Sequence, residues 1–390
     1  MQPLKILQLA DHSEVLSGGA VQMVLLARGL HERGHDVTCV FNSESSPHDH
    51  TLQQVLKAGA RLVRLPLDKK EPCGGLRALV ERERFDVIHT HRATYKALFH
   101  SCRGLALPPV VVNRGQSRPL REAEVRKMLH PAVRAHVVVA SHVREVLVQA
   151  GIPAERIAVI YGSYDPDRFH AAVDGRAVRA EFVPEEPPPA PLVGLVAKLS
   201  HYKSHDVFLE AAAQVLKAEP RAHFLAVGPD PDATRAALEQ LARDLGRRHA
   251  VPLAERVHFT GPREDIPQVL AALDVSVSAS ASAWEGLSGV MRESLALGRP
   301  VVCTDVGGNR ELVRDGETGR LVLPGDPAAL AAAILDLLRD PATARRLGEN
   351  GRRLAEATFS NAARAAAVEA VYQRILSGNG AAGAASRAAE

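Results

Sequence analysis

The sequence predicts two doubly wound α/β domains in tandem, and three observations predict it. Short, near-continuous Val/Ile/Leu runs alternate with amphipathic stretches from Leu4 onwards. Strands of that kind are buried on both faces and belong to parallel sheets. A Pro-rich stretch, Pro184-Glu185-Glu186-Pro187-Pro188-Pro189-Ala190-Pro191, interrupts the alternation, which then restarts. Finally, 390 residues, 46% hydrophobic and 24% charged, suffice for two ordinary aliphatic cores.

The elements follow in order. Leu4–Ala10 is an apolar strand, and Ala20–Arg33 repeats apolar residues at three and four, as a helix does. Asp36–Phe41 is the next strand, followed by a helix near Leu52–Lys57 and a strand at Arg61–Leu65. Phe85-Asp86-Val87-Ile88-His89, Val110–Val112 and Val137–Val139 continue the sheet. The first domain is expected at 1–183, with 184–191 as a semi-rigid linker. Beyond it come strand Leu192–Ala197, helix His205–Lys217, strand Ala222–Val227, helix Ala233–Arg247 and strand Arg256–Thr260. Asp274–Ser278 and Pro300–Cys303 complete a second domain over 192–358. Asn361–Leu376 is a further amphipathic helix, and Ser377–Glu390, almost all Gly, Ala and Ser, is expected to be disordered. Ligands of open α/β sheets bind beyond the carboxyl ends of the strands, so two such domains are expected to face one ligand across a cleft.

Composition narrows the function. Aromatic residues make up 4% of the chain, with one Trp, too few for a base-stacking nucleic-acid surface. Four separated cysteines form no C-x-x-C pair, which argues against a zinc ribbon or redox motif and for a reducing compartment. The N-terminus lacks the pattern of a signal peptide, and no apolar run is long enough to span a bilayer, so a cytoplasmic protein is expected. The net charge of +3 is unevenly divided: residues 1–170 hold 23 Lys and Arg against 17 Asp and Glu, leaving a net −3 for the rest. The basic half favours an anionic partner, either phosphate groups of an acceptor or an anionic membrane touched peripherally. Within it, Arg114, Arg118, Arg121, Arg126, Lys127 and Arg134 face only Glu122 and Glu124.

The chemistry concentrates in two places. In Trp284-Glu285-Gly286-Leu287-Ser288-Gly289-Val290-Met291-Arg292-Glu293, two glutamates stand eight apart around a helix start expected near Ser288, with Gly298 ending the helix. The free N–H groups of such a start bind anions, and ionised carboxylates accept hydrogen bonds from sugar hydroxyls. Taken alone, the pattern is more readily that of a capped helix with solvated glutamates. In Gly194-Leu195-Val196-Ala197-Lys198-Leu199-Ser200-His201-Tyr202-Lys203, a buried strand ends in two lysines five apart, placed to meet a diphosphate. Asp165-Pro166-Asp167 and Asp230-Pro231-Asp232 read as turns rather than metal clamps. His89 and His91, at alternate positions of a strand, are expected on opposite faces, leaving His91 as the site residue.

These residues carry a family resemblance. Val257–Asp326 closely resembles the nucleotide-sugar-binding domain of glycosyltransferase family 4, whose E-x7-E pattern is met by Glu285 and Glu293. Val257-His258-Phe259-Thr260-Gly261-Pro262-Arg263 resembles the base-binding turn, and Pro300–Glu311 the strand and loop that follow the motif. Gly18-Gly19 resembles the glycine loop under the donor phosphates, and Asp86-Val87-Ile88-His89-Thr90-His91 the D-x-x-H-x-H strand end. The resemblance implies the GT-B fold, two Rossmann-like domains with the last helix crossing back to the first. It also implies a retaining hexosyl-type transferase that needs no metal or other cofactor beyond its nucleotide-sugar co-substrate. It assigns Glu285, Lys198, Lys203, His91 and Arg114 to catalysis. Gly18, Gly19, Gly228, Arg263, Gly286, Leu287, Ser288, Gly289 and Glu293 go to donor binding. The acceptor implied is a saccharide or lipid-linked saccharide, as in cell-envelope polysaccharide or lipopolysaccharide synthesis.

Three positions depart from the family pattern. Arg114 in Asn113-Arg114-Gly115 replaces the usual His, Gly162-Ser163 the usual Asn-Gly, and Lys198 the usual Arg. An arginine there suits an anionic acceptor or donor. Two alternatives share these features: a nucleotide-sugar epimerase on the same fold, and a non-catalytic nucleotide-sugar-binding homologue. Trp284 is the one aromatic placed to stack on a sugar.

Overall fold

A computed structural model of the chain describes residues 2–12, 18–43, 50–67, 71–184, 187–281 and 285–378. Trp284, Glu185, Glu186 and the tail from 379, three subjects of sequence expectation, lie outside the described residues. The chain divides into two compact units, Met1–Ser163 with Asn361–Glu390, and Tyr164–Ser360.

The first unit holds a parallel seven-stranded sheet: β1 Lys5–Leu9, β2 Asp36–Asn42, β3 Arg61–Leu65, β4 Val87–His91, β5 Val110–Arg114, β6 Val133–Val138 and β7 Ile157–Val159, in the order β3-β2-β1-β4-β5-β6-β7. The second holds a parallel six-stranded sheet: β8 Leu192–Val196, β9 His223–Val227, β10 Val257–Gly261, β11 Val275–Ser278, β12 Val301–Thr304 and β13 Arg320–Val322, ordered β10-β9-β8-β11-β12-β13. Both sheets reverse direction of winding next to their first strand, between β1 and β4 and between β8 and β11. Such switch points open a crevice beyond the strands' carboxyl ends, where ligands of doubly wound sheets bind.

The central strands are apolar throughout because helices cover both faces. β8 and β9 are buried at every position, as the alternation with amphipathic stretches predicts. Aliphatic side chains dominate both cores; each fully buried Leu, Ile or Val contributes roughly 1.5–3 kcal/mol by leaving water. Helix Asn361–Leu376 belongs to the first unit, where Val368, Val371, Tyr372 and Ile375 join the core of β1, β2 and helix Gly18–Glu32. Close approach demands small residues there: a Cβ on Gly29 would sit 2.7 Å from the Ala365 Cβ.

Two expectations about organisation need correction. The boundary lies between Ser163 and Tyr164, not at residue 183. Helix Arg176–Phe182 is built into the second unit: Arg179 donates to the carbonyls of Ala272 (2.9 Å) and Ala190 (2.6 Å) and pairs with Asp274 at 3.0 Å. Gly175 leaves no room for a Cβ, which would meet the Ala272 nitrogen at 2.2 Å. The Pro-rich stretch is therefore a loop leading into β8, held by Arg221 on the Pro188 carbonyl at 2.7 Å, and not a hinge between domains. The chain passes between units only at Ser163–Tyr164 and Ser360–Asn361. On the first unit's side both crossings are tied together: the Ser163 hydroxyl donates to Asn361 Oδ1 at 3.0 Å, and Asn361 Nδ2 donates to the Leu25 carbonyl at 2.8 Å. Gln22 completes the clamp, receiving the Ser163 N–H at 2.8 Å and donating to its carbonyl at 2.6 Å. The Gly162-Ser163 departure thus serves a fully buried chain crossing, not an exposed site.

Candidate active site

In the second unit the expected donor residues come from the strands flanking the switch point. Lys198 follows β8, and Glu285 follows β11. Lys203 closes a short 3-10 turn, His201–Lys203, and its Nζ reaches Glu285 Oε2 at 2.6 Å. The Ser280 hydroxyl donates to the same oxygen at 3.2 Å. Both ammonium groups also lie over one ring, that of half-exposed Tyr202, at 5.0 Å for Lys198 and 5.5 Å for Lys203. Two cations therefore lie against one ring, and Lys203 also orients the Glu285 carboxylate.

The backbone under this patch is tightly constrained. Gly307, with φ of +54°, has room for no Cβ: one would lie 1.8 Å from the Glu285 carbonyl oxygen. The Gly308 N–H donates to the Gly286 carbonyl at 2.9 Å. A second glycine does similar work below Lys198. At Gly228 (φ +152°) a Cβ would meet the Ala197 carbonyl oxygen at 2.2 Å. Gly228, expected to contact donor, is required first for this packing.

Helix Gly289–Ala296 starts one residue later than expected; Ser288 caps it by accepting the Met291 N–H at 3.4 Å. Glu293 lies in its second turn, partly buried, and its carboxylate makes no hydrogen bond or ion pair with another described residue. Burial pushes its pKa up to about 7, against the attraction of Arg292 and Arg168, while Asp165 adds to the rise. A carboxylate left without a partner among the described residues is available for ligand hydroxyls. Arg168 and Asp165, brought beside Glu293 by the fold, are not among the expected site residues; Asp165 reads from the sequence only as a turn residue, and nothing in the spacing of Arg168 marks it.

Arg263 sits among carboxylates. Its guanidinium is held by Glu181 and Asp265, each at 2.6 Å, over the Phe182 ring, so it already has two carboxylate partners within its own unit. It borders a cavity of about 540 Å³ along edge strand β10, lined also by Arg235, Arg243, His258 and Thr260 and by none of Lys198, Lys203, Glu285 or Glu293. Asp165 and Asp230 do serve turns: Asp165 accepts the Asp167 N–H at 3.2 Å, and Asp230 accepts the Thr234 and Arg235 N–H groups at 2.7 and 3.0 Å.

In the first unit, Gly18 and Gly19 follow β1 and open helix Gly18–Glu32, with open space where a Gly18 Cβ would stand. His91 ends β4, across the switch point from β1. The expectation that His89 and His91 face opposite sides is wrong. Residues two apart on a strand share a face, and the two rings stack at 4.8 Å. His89 bonds Tyr372 Oη at 2.6 Å, and His91 Nε2 meets Gln8 Oε1 at 3.0 Å. Burial lowers the pKa of both, that of His89 to about 3, so both rings are neutral. Arg114 ends β5, one register position past the row that pairs His91 with Asn113.

Comparison with known proteins gives the family. Residues 190–340 match the model of the glycosyl transferases group 1, and residues 16–168 that of glycosyltransferase family 4. The 2-deoxystreptamine glucosyltransferase of Streptomyces kanamyceticus is 30% identical over 70% of this chain and 69% of its own. The chain belongs to the family 4 glycosyltransferases. A D-inositol 3-phosphate glycosyltransferase of Nocardia farcinica is 34% identical over 58% of this chain, and the match spans half of that relative's length. The Anabaena protein HepE, crystallised with UDP, has the same fold, with a TM-score of 0.77 over 96% of this glycosyltransferase and 99% of its own chain at 21% identity. No helix among the described residues of this family member is long and apolar enough to cross a membrane.

Proposed function

We propose that this family 4 member transfers a sugar from a nucleotide-activated donor to a saccharide or lipid-linked acceptor of the cell envelope, with retention of anomeric configuration. The observation that carries the reading is that Lys198 and Lys203, beyond β8, both lie against Tyr202 while Lys203 pairs with Glu285, beyond β11, and that the Glu293 carboxylate, in the helix that follows, has no partner among the described residues. In this reading Glu293 accepts the ribose hydroxyls and Glu285, oriented by Lys203 and Ser280, those of the donor sugar. The two lysines and the N–H groups around Gly286, Leu287, Ser288 and Gly289 stabilise charge growing on the leaving diphosphate. Those fixed cations support a reaction that needs no metal.

The bond from the sugar C1 to the diphosphate oxygen breaks, and one from C1 to the acceptor oxygen forms. The acceptor hydroxyl proton passes to the departing diphosphate. In this reading the first unit takes the acceptor; there Gly18 and Gly19 open a helix, with open space where a Gly18 Cβ would stand. The positive excess of residues 1–170 supports an anionic acceptor or a peripheral contact with an anionic membrane surface. Incubation with a panel of nucleotide sugars, with and without acceptor, tests the reading. Release of nucleoside diphosphate that depends on acceptor is expected, with the product's anomeric configuration retained by NMR. Epimer formed without acceptor would replace the reading by a nucleotide-sugar epimerase, and binding without turnover by a non-catalytic homologue.

A further inference from the structure

We propose that Arg114 forms a subsite for a phosphate or carboxylate group of the acceptor, so that the substrate class this chain selects is an anionic saccharide. The proposal rests on the reading above for the role of the first unit, and deepens it.

Arg114 stands at the carboxyl edge of β5, where doubly wound sheets meet their ligands. It is half-buried, and its hydrogen bonding is incomplete. One Nη donates to the Arg118 carbonyl, while its Nε is buried with no partner among the described residues. The carboxylate beside it is already claimed. Glu124, only 5% exposed, takes both arms of the Arg118 fork at 2.9 and 2.7 Å, the Lys96 ammonium at 2.9 Å and the Arg121 N–H at 3.2 Å. Two cations, Arg118 and Lys96, thus share one anion, and Arg114 makes no direct ion pair with a described residue.

The electrostatic balance agrees. Burial and the neighbouring Arg118 charge both disfavour the charged form of Arg114, and they outweigh the weaker help from Tyr95 and Glu124. Holding a guanidinium out of water without a counter-ion is costly, and the cost is recovered when an anion arrives. Arg263 offers the contrast within this same protein, for it is flanked by two carboxylates. The planar fork of Arg114 suits bidentate capture of phosphate or carboxylate, which lysine cannot reproduce.

The test is calorimetry on the full chain, first saturated with whichever of UDP, GDP or ADP it binds. Inorganic phosphate, glucose 6-phosphate, glucuronate and glucose are then titrated in turn. The wild type is expected to bind the anionic probes and to take glucose at least tenfold more weakly, with the phosphate and carboxylate arms showing which group is preferred. Arg114→Ala is expected to weaken the anionic probes at least tenfold and Arg114→Lys several-fold, nucleotide affinity being unchanged in both. Thermal melts check folding, and should Arg114→Ala fail to fold, Arg114→Lys carries the comparison. Wild-type protein that takes up none of the anionic probes, or Arg114 variants with wild-type anion affinity, would overturn the proposal. Failure of the wild type to bind any of the three nucleotides is a different result: it removes the glycosyltransferase reading on which the subsite depends.

Discussion

Glu293 makes the sharpest demand of any single residue. A carboxylate must be ionised to accept two ribose hydroxyls, yet burial holds this one at about 7. Affinity for a nucleotide sugar, whose diphosphate is esterified at both ends, is therefore expected to fall as the pH drops below 7, approaching about tenfold per unit. Calorimetry between pH 6 and 8 checks this, and Glu293→Gln is expected to bind about tenfold more weakly with a flat profile. The same shift has the opposite sign for stability. The folded chain binds this proton more tightly than the unfolded one, so the contribution is full below the ordinary value of 4.5 and is lost as the pH rises towards 7. Lys203 makes a second demand. Removing it deletes one of the two cations and leaves Glu285 without its ion-pair partner, so Lys203→Ala is expected to lower kcat by about 10²–10³ in a donor-release assay. At this scale the sequence marks residues by their spacing, as with Glu285 and Glu293, but not the partners that come from afar. Nothing local to Arg263 announces Glu181, which closes on it from 82 residues away.

Among elements, the glycine loop beneath Glu285 and the clamp at the chain crossings matter most. Gly307→Ala forces a Cβ against the Glu285 carbonyl in a backbone conformation that L side chains avoid. It is expected to cost activity more than stability, which kcat and melting temperature measured together will show. Asn361→Ala leaves the Leu25 carbonyl and the Ser163 hydroxyl without their partner in a buried setting. It should cost about 1–3 kcal/mol in urea unfolding. Most elements were legible because an apolar run bounded by polar punctuation has few readings. Arg61–Leu65 and Asn361–Leu376 were located to the residue. Three-residue β7 and β13 were missed as strands, being too short to show a period. The His89–His91 expectation failed for a different reason: the period of a strand is two, so alternate residues stack on one face.

For the whole molecule, two doubly wound domains followed from the restart of the alternation after the Pro-rich stretch, but the boundary did not. Proline marks where a chain cannot form regular structure, not where packing ends. Arg179 and Gly175 place residues 164–183 in the second unit by contacts that only the folded chain makes. The charge split now acquires an address, since Arg114 gives the basic half one cation without its own counter-ion. Acceptor-dependent turnover tests the central claim most directly. Purified protein in EDTA, given its nucleotide sugar, is predicted to release nucleoside diphosphate in step with glycosylated acceptor, and Glu293→Ala to do so far more slowly. Donor conversion to an epimer without acceptor, or donor binding with no release under any acceptor, would contradict the account.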